Sequence, residues 1–385
     1  MPSDNIFSGL KVVDFASFVA APGAAVILSD FGADVIKVEP PSGDPWRHAH
    51  KIPPQPASDD PYQWHLANRN KRSITLDLKD PSAVAWLKDY LAEADVLLHN
   101  LRPGAMAELG LDAESLCARY PRLVYGALSA FGHKGPRRLQ LGYEPLVQAF
   151  AGIFSVNGAE DGEPARVGVP ILDMGTGMWL ALGCIAALLR RTQTGRGGTV
   201  DASLFETALT WLTVAFSNFQ VSGQVPVRHR TGSRRLIVFE AFAATDGEII
   251  IAAANDRLFR KLAIALGRPE WAEDERFTTN AQRLAHKDVL LPEIRAIIAR
   301  QPSEHWVDLL EAAGVPCAPV QDVKHAVAEP QAAALGMIAD VPESGLSLIG
   351  LPLSFDGERP PMRRRAPELG EHNGELRRAK GKAAE

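Results

Sequence analysis

The sequence predicts an α/β protein of two domains, a larger one built on a parallel sheet and a smaller α+β one. Three observations lead there. The chain has 385 residues, longer than a single hydrophobic core usually grows, so it divides. Its N-terminal stretch runs strand, helix, strand within about 30 residues, the βαβ unit that makes a parallel pair. From Leu236 the pattern changes to a hairpin followed by helices, the mark of a separate small module.

Taken in order, Leu10 to Phe15 (LKVVDF) reads as a buried strand. Pro22 fits a first helical position and opens a helix that Gly32 closes. Asp34 to Val38 is the second strand, broken by Glu39-Pro40-Pro41. No G-x-G-x-x-G accompanies this unit, so the dinucleotide fingerprint is missing, which counts against an NAD(P) oxidoreductase. Ser42 to Tyr62, rich in Pro, Asp and His, reads as a long loop, and such loops are often functional. An alternating strand follows at Ser73 to Leu78, preceded by Arg69, Lys71 and Arg72. Those cations read either as a solvated turn or as a phosphate site. Pro81 opens a helix (82–93), and Asp95 to His99 is another strand. Asn100-Leu101-Arg102-Pro103-Gly104 then lies at the carboxyl edge of the sheet, where open α/β folds bind ligands. Leu123 to Leu128 is one more strand. The loop 129–143 is glycine-rich and basic, and Tyr143 and Glu144 lead into an apolar helix; His133 reads as a surface histidine.

The centre of the chain is Val169 to Gly198, VPILDMGTGMWLALGCIAALLRRTQTGRGG. A short apolar run leads to one acid, Asp173, and a helix with no further charge until Arg190 begins. Trp179, Leu180, Leu182, Ile185, Leu188 and Leu189 give it an almost continuous apolar surface, so burial is expected. Arg190 and Arg191 fall in its last turn, and Gly195, Gly197 and Gly198 end it. Asp173 has two readings. One is an N-cap, bonding a free backbone N–H. The other is a nucleophile, kept ionised and aimed by the same N–H groups and able to form a covalent acyl intermediate.

Beyond it, Thr199 to Ala202 is a strand and Leu204 to Phe219 a helix. Ser222 to Ser233 is a polar connection, where the domain boundary falls. Ile237 to Ala243 and Glu248 to Ala253 form a hairpin around Asp246-Gly247. Helices at 255–266, 280–285, 287–299 and 303–313 follow, then a turn and short strand in Gly314 to Val320. The segment 326–385 reads as Pro-rich loops and short strands with a frayed end (LRRAKGKAAE). The domains are therefore 1–203 (large), 204–234 (linker), 235–325 (small) and 326–385.

Composition narrows the function. The chain is 46% hydrophobic and 23% charged, with a net charge of −5. That is the balance of a globular enzyme and argues against nucleic acid as a partner. Cys117, Cys184 and Cys317 make neither a disulfide framework nor a zinc spacing, so no metal is expected and the compartment reads as reducing, hence cytoplasmic. MPSDNIFSGLKVV lacks the pattern of a signal peptide. The apolar part of the 174–189 helix stops short of the roughly 18–20 residues that span a bilayer, so no membrane is expected.

Several segments together resemble the class III CoA-transferase family, also called CaiB/BaiF. They are VVDFASFVAAPGAAVILSDFGADVIKVEPPSGDPWR, NRNKRSITLDL, NLRPGAMAELGL, VPILDMGTGMWLALGCIAALLRRTQTGRG, GVPCAPV and PELGEHNGEL, in order along nearly the whole chain. The resemblance implies a Rossmann-like large domain made from both chain ends, a small domain, and two chains interlocked as rings in a homodimer. It places the family's nucleophilic aspartate on Asp173. It implies acyl-CoA and a carboxylic acid as substrates, with coenzyme A carried through a mixed anhydride and an aspartyl-CoA thioester. Backbone N–H groups near Gly175 or in a glycine loop would serve each oxyanion. CoA contacts carry over to Val19, Ala20, Leu76, Lys79, Asn100, Leu101, Ala105 and Tyr143. Lys71 and Arg72 are added as phosphate contacts on their chemistry.

The departures from the family bear on specificity. Formyl-CoA transferase has a glutamine where this chain has Val19, and a CoA-contacting arginine where it has Glu108. Its glycine-rich lid is reduced here to Arg230-Thr231-Gly232-Ser233-Arg234. Phe18, Val19, the loop 42–65 and the segment 228–240 are expected to line the acyl pocket; Arg234 and Arg235 read either as facing an acidic acyl or acceptor group or as a solvated basic loop. The alternative activity is racemisation of a 2-methylacyl-CoA, which needs two bases on opposite faces of the α-carbon. In that branch a histidine precedes an acid just after the glycine-rich loop. Here the dipeptide is Tyr143-Glu144, so CoA transfer is the leading reading. A non-catalytic CoA-binding protein would have no need of the acid at 173.

Overall fold

The computed structural model describes residues 6–52 and 61–381. Two compact units emerge. The first is made of three stretches, up to Ile153, Arg166–Gly223 and from Pro330 onward; the second holds Phe154–Ala165 and Gln224–Glu329.

The first unit is organised on six parallel strands: β1 (Lys11–Phe15), β2 (Asp34–Glu39), β3 (Lys71–Thr75), β4 (Val96–His99), β5 (Val124–Ser129) and β6 (Gly198–Ser203). Their order is β3-β2-β1-β4-β5-β6. The direction of winding reverses between β1 and β4, so the loops that leave those two strands diverge and open a crevice. The strands bury both faces. Val12, Val35, Val96, Leu98 and Val124 pack with the helices Ala20–Asp30 and Ile171–Thr194. Their neighbours Val13, Ile36, Leu97 and Tyr125 point the other way, onto Leu87, Leu91 and Leu116. This period of two explains why the strands read as continuous apolar runs.

The segment that closes the chain seals the sheet's edge. His372 donates its backbone N–H to Ser73 O (3.0 Å), and its Nδ1 accepts from Ser73 N (3.2 Å). Asn373 Oδ1 accepts from Thr75 N (2.9 Å) while its Nδ2 donates to Thr75 Oγ1 (2.8 Å). Side chains and backbone of the PELGEHN motif thus occupy the outer edge of β3 where a seventh strand would pair.

In the second unit β7 (Phe239–Ala243), β8 (Glu248–Ala252) and β9 (Cys317–Pro319) form an antiparallel sheet. Phe242, Ile249, Phe259, Leu290, Ile294 and Trp306 make its core.

Several elements differ from the sequence expectation. The 3₁₀ helix Pro45–Lys51 lies inside the loop expected from Ser42 to Tyr62, and the helix Tyr62–Asn68 starts at its last residue; residues 53–60 of that loop fall outside the described residues. The strand expected at 73–78 runs instead from Lys71 to Thr75, because Lys71 has buried ionic partners that a surface turn would lack. Leu204 to Phe219 is two helices, Leu204–Trp211 and Thr213–Ser222, broken at Leu212. The end read as frayed is helical over Asn373–Gly381, and 382–385 fall outside the described residues. The central helix is longer than expected. It spans 24 residues, Ile171–Thr194, and by length and composition is apolar enough to cross a bilayer, although half of its apolar window is buried within the protein. Its expected burial is also only partial. Leu180, Cys184 and Leu188 are in the core, whereas Trp179, Leu182 and Leu189 are exposed.

Candidate active site

The turn after β1 is held by side chains at five of its backbone groups. Ala16 N–H donates to Asp14 Oδ1 (3.1 Å), and Ala16 O accepts from Lys37 Nζ. Asn100 grips Ser17 on both sides, accepting from its N–H and donating to its O, each at 2.8 Å. Phe18 N–H reaches Asp44 Oδ1 (3.3 Å). Phe18 itself sits at φ 66°, a left-handed backbone that costs a bulky residue about 1–3 kcal/mol. Such strain persists only where the surroundings over-determine it. Below the turn lies a buried ionic chain: Lys71 Nζ to Asp14 (2.7 Å), Asp14 to Lys37 (3.7 Å), Lys37 to Asp44 (3.0 Å). Burial would raise the Asp14 carboxyl, but Lys37 and Lys71 outweigh it and hold it below the usual range. The same burial drags Lys71 down to about 8. The turn Ala16–Val19 is therefore a rigid, preformed rim of the crevice.

Asp173 is carried by the helix Ile171–Thr194, which packs on the helix that follows this rim. Its helix packs on the first helix so closely that a Cβ on Gly177 would stand 2.4 Å from Ala20 O. Asp173 lies one turn before Gly177, at the open end of that contact. The N-cap of its helix is Pro170, with no side-chain cap, and Asp173 is the third residue of the first turn. The N-cap reading is thus corrected: a proline occupies the position. The expectation of a carboxylate held ionised by the helix end is corrected too. Burial, reinforced by the charge of Glu144 and only partly opposed by Arg166, pushes Asp173 up to about 6. At pH 7 it is still about nine-tenths ionised, and a more basic carboxylate is a better nucleophile.

Glu144 and Arg166 are the neighbours that sequence reading missed. Glu144 heads the helix Glu144–Ala151 and is buried. Its Oε1 accepts from Gln148 Nε2 (2.5 Å) and faces Leu172 N in the Asp173 helix (3.5 Å). Its Oε2 is buried without a hydrogen bond, 3.7 Å from an Arg166 guanidinium nitrogen. Glu144 had one signal, an acid at the head of an apolar helix. Arg166 had none, because it sits in an irregular loop with several charges.

The other expected residues sort by position. Val19 and Ala20 open the first helix; Asn100, Leu101 and Ala105 follow β4; Leu76 and Lys79 follow β3. All lie at the carboxyl edge of the parallel sheet. Leu76 points into the core, so only its backbone faces that edge, and Lys79 is exposed. The exposed Tyr143 ring stands edge-on to Phe18, 6.4 Å away, with Trp46 at 6.4 Å on Phe18's other contact. Lys71 and Arg72 do not serve as phosphate contacts. Lys71 is fully buried against Asp14, and Arg72 is tied to Asp34 (2.5 Å) and Glu375 (2.6 Å). Arg69 is likewise committed to Asp30 (2.7 Å). Gly175 is inside the helix, its N–H taken up by the i→i−4 ladder and its Cα against Trp211, so it offers no oxyanion donor. Glu108 pairs with Arg102 (2.5 Å), and His133 is an exposed residue 3.8 Å from Asp201. In the second unit the shortened glycine segment is tied to its own sheet: Thr231 Oγ1 accepts from Ala241 N, and Arg230 pairs with Glu248. Among the described residues no cluster of acids, histidines and cysteines is arranged to hold a metal.

Known proteins share this architecture along its full length. An acetyl-CoA:oxalate CoA-transferase of Acetobacter aceti is 36% identical, over 97% of this chain and 95% of that protein. A succinate–glutarate CoA-transferase of Agrobacterium fabrum is 34% identical, over 96% and 94%. A CaiB/BaiF family protein from Brucella suis, solved by crystallography, superposes with a TM-score of 0.87 at 34% identity, covering 97% of this chain and 98% of that one. The sequence model of CoA-transferase family III matches residues 7–373, which takes in the β1 turn, the Asp173 helix and the edge-sealing PELGEHN segment together. With fold and sequence agreeing over nearly the whole chain, it is an enzyme of CoA-transferase family III.

Proposed function

We propose that this enzyme transfers CoA from an acyl-CoA thioester to a carboxylic acid, with Asp173 as the covalent relay. The observation that carries this is the position of Asp173: a basic carboxylate one turn before the backbone-tight contact of its helix with Ala20, the first residue of the helix that follows the rigid Ala16–Val19 turn. An Asp173 oxygen attacks the thioester carbonyl, the C–S bond breaks, and CoA leaves as its thiolate. The thiolate attacks the Asp173 acyl carbon of the mixed anhydride, freeing the donor acid and leaving an aspartyl-CoA thioester. The acceptor carboxylate repeats the two steps in reverse and restores Asp173. Val19, Ala20, Leu76, Lys79, Asn100, Leu101, Ala105 and Tyr143 are the CoA contacts in this reading. The names of the relatives, which pair acetyl-CoA with oxalate and succinate with glutarate, support it.

The racemase alternative is weaker, because Tyr143-Glu144 supplies no histidine and His133 is on the surface. Three free cysteines suit the cytoplasm. A homodimer is part of the proposal: Met174, Met178, Trp179, Leu182 and Leu189 expose an apolar face on the Asp173 helix, and Thr213–Ser222 buries none of its residues. A face of that size on a soluble enzyme calls for a partner, and a second copy is the one occupant always present.

The test is intact mass after incubation with a panel of acyl-CoA thioesters. The native chain is expected to gain an acyl or CoA adduct that hydroxylamine removes, and Asp173→Ala to gain none. No adduct with any thioester, but deuterium uptake at the α-carbon in D₂O, overturns transfer in favour of racemisation.

A further inference from the structure

We propose that Arg166 is the residue that selects dicarboxylic acids, holding the carboxylate of the acceptor that does not react. The inference rests on the CoA-transfer reading above and deepens it.

Three features of the structure converge on this side chain. First, its backbone is fixed while its head is loose. Gln148 is fully buried and clamps the next residue from both sides, donating to Val167 O (3.4 Å) and accepting from Val167 N (3.0 Å). The Arg166 side chain is 47% exposed, and its guanidinium makes no hydrogen bond among the described residues. The other arginines near the sheet edge are taken: Arg47 by Glu39, Arg69 by Asp30, Arg72 by Asp34 and Glu375. A guanidinium with open donors is built for a second, planar anion.

Second, Arg166 is held in place by a carboxylate that it does not satisfy. Glu144 Oε2 is buried and unbonded, and at 3.7 Å the Arg166 nitrogen is beyond hydrogen-bond range. Glu144 cannot move to close the gap, because its other oxygen is engaged with Gln148 and the first turn of the Asp173 helix. The ion pair therefore aims the arginine without saturating it.

Third, the charges change along the reaction in the direction that frees Arg166. With Asp173 ionised, two carboxylates share one guanidinium, and another anion is repelled. Once Asp173 is an acyl-CoA thioester it is neutral, and Arg166 has only Glu144 to balance. An acceptor dianion then enters with one carboxylate on Arg166. Its other carboxylate oxygen attacks the Asp173 acyl carbon; the C–S bond breaks and CoA leaves as thiolate. That thiolate attacks the acceptor's acyl carbon, the C–O bond to Asp173 breaks, and the Asp173 carboxylate returns. No other reactant is needed. By reversibility, the same contact holds the free carboxylate of a dicarboxylic acyl donor.

The experiment uses the full chain, first loaded with acetyl-CoA or succinyl-CoA, and measures acceptor kinetics for matched acids: succinate against butyrate, glutarate against valerate, malonate against propionate. The native enzyme is expected to favour at least one dicarboxylate over its partner. Arg166→Gln is expected to raise the KM for that dicarboxylate about 10- to 100-fold and to leave the monocarboxylate within about 3-fold. Arg166→Lys is expected to fall between. The hydroxylamine-labile adduct from acetyl-CoA should still form in both variants, which shows that they fold and load. A native enzyme without preference for any dicarboxylate overturns the inference, and so does an equal loss for both acids of a pair in Arg166→Lys. Failure of the native chain to load from either thioester sinks the transfer reading instead, and this inference with it.

Discussion

Gly177 and Ala20 meet backbone to backbone: a single added methyl on Gly177 would lie 2.4 Å from the Ala20 carbonyl oxygen. This contact sets the distance between the Asp173 helix and the rim that follows β1. Gly177→Ala must therefore push the helices apart, and neither end can yield, since Ala16 to Phe18 are pinned and Leu180 is in the core. Overpacking of this kind costs about 1–3 kcal/mol. The variant is expected to unfold at lower denaturant and to lose at least about tenfold in kcat. Chemical denaturation and steady-state kinetics check the two effects separately.

The acidity of Asp173 predicts a pH profile. In the proposed mechanism the attacking form is the carboxylate, and its pKa is raised to about 6, first by burial and then by Glu144. The kcat/KM should be flat above pH 7 and fall about tenfold per unit below pH 6. Glu144→Gln removes the second cause, so the acid limb should move to lower pH. A limb that stays in place would assign it to another group.

Stability should move the opposite way. A carboxyl with a raised folded pKa binds its proton more tightly when folded, so its contribution is full below the ordinary value of 3.8 and is lost as pH rises towards 6. At pH 7 the fold carries this penalty. Asp173→Asn is expected to abolish the covalent adduct and yet to melt about 1–3 °C higher than the native chain at pH 7, with the gap closing at pH 4. Differential scanning calorimetry at the two pH values would show it.

Lys71 is a test of structure against ligand binding. Its ammonium lies 2.7 Å from Asp14 in a fully buried site. Lys71→Met leaves Asp14 short of one counter-charge and should cost about 3–5 kcal/mol of stability. The fraction that folds is expected to keep its KM for acyl-CoA within about 3-fold, because no phosphate reaches this side chain. A large rise in KM with little loss of stability would restore the phosphate reading.

The exposed apolar face predicts assembly. Sedimentation velocity should give twice the chain mass. Leu182→Asp, on the exposed face of the Asp173 helix, should give a monomer or an aggregate. A monodisperse monomer for the native chain would overturn the dimer.

The sheet was legible because its strands are buried on both faces and so read as unbroken apolar runs, and because Gly32 and the prolines at 40 and 41 punctuate them. Asp173 stood out in sequence as the lone acid in an apolar stretch, and the structure puts it in the first turn of the central helix. What failed was local reading of charge. Arg69, Lys71 and Arg72 look like a surface turn, yet each answers an acid 38–57 residues distant in sequence, and no spacing rule reports such pairs. The N-cap reading of Asp173 failed because the helix begins three residues earlier, with Pro170 in the cap position. Arg166 was invisible for the same reason as Lys71: its meaning lies in Glu144, brought in from another helix.

The seal on β3 has a consequence for biosynthesis. Strands that must lie side by side are made early, but the residues that cover the outermost one, His372 and Asn373, follow it by 299 and 298 residues. At ordinary translation speeds the bare edge waits roughly 15–60 s for its cover. During that interval a second nascent chain could pair there, and a ribosome that stalled after the second unit would release a product with a permanently open edge. Loss of His372 and Asn373, a short motif remote from the chemistry, should therefore surface first as aggregation during synthesis.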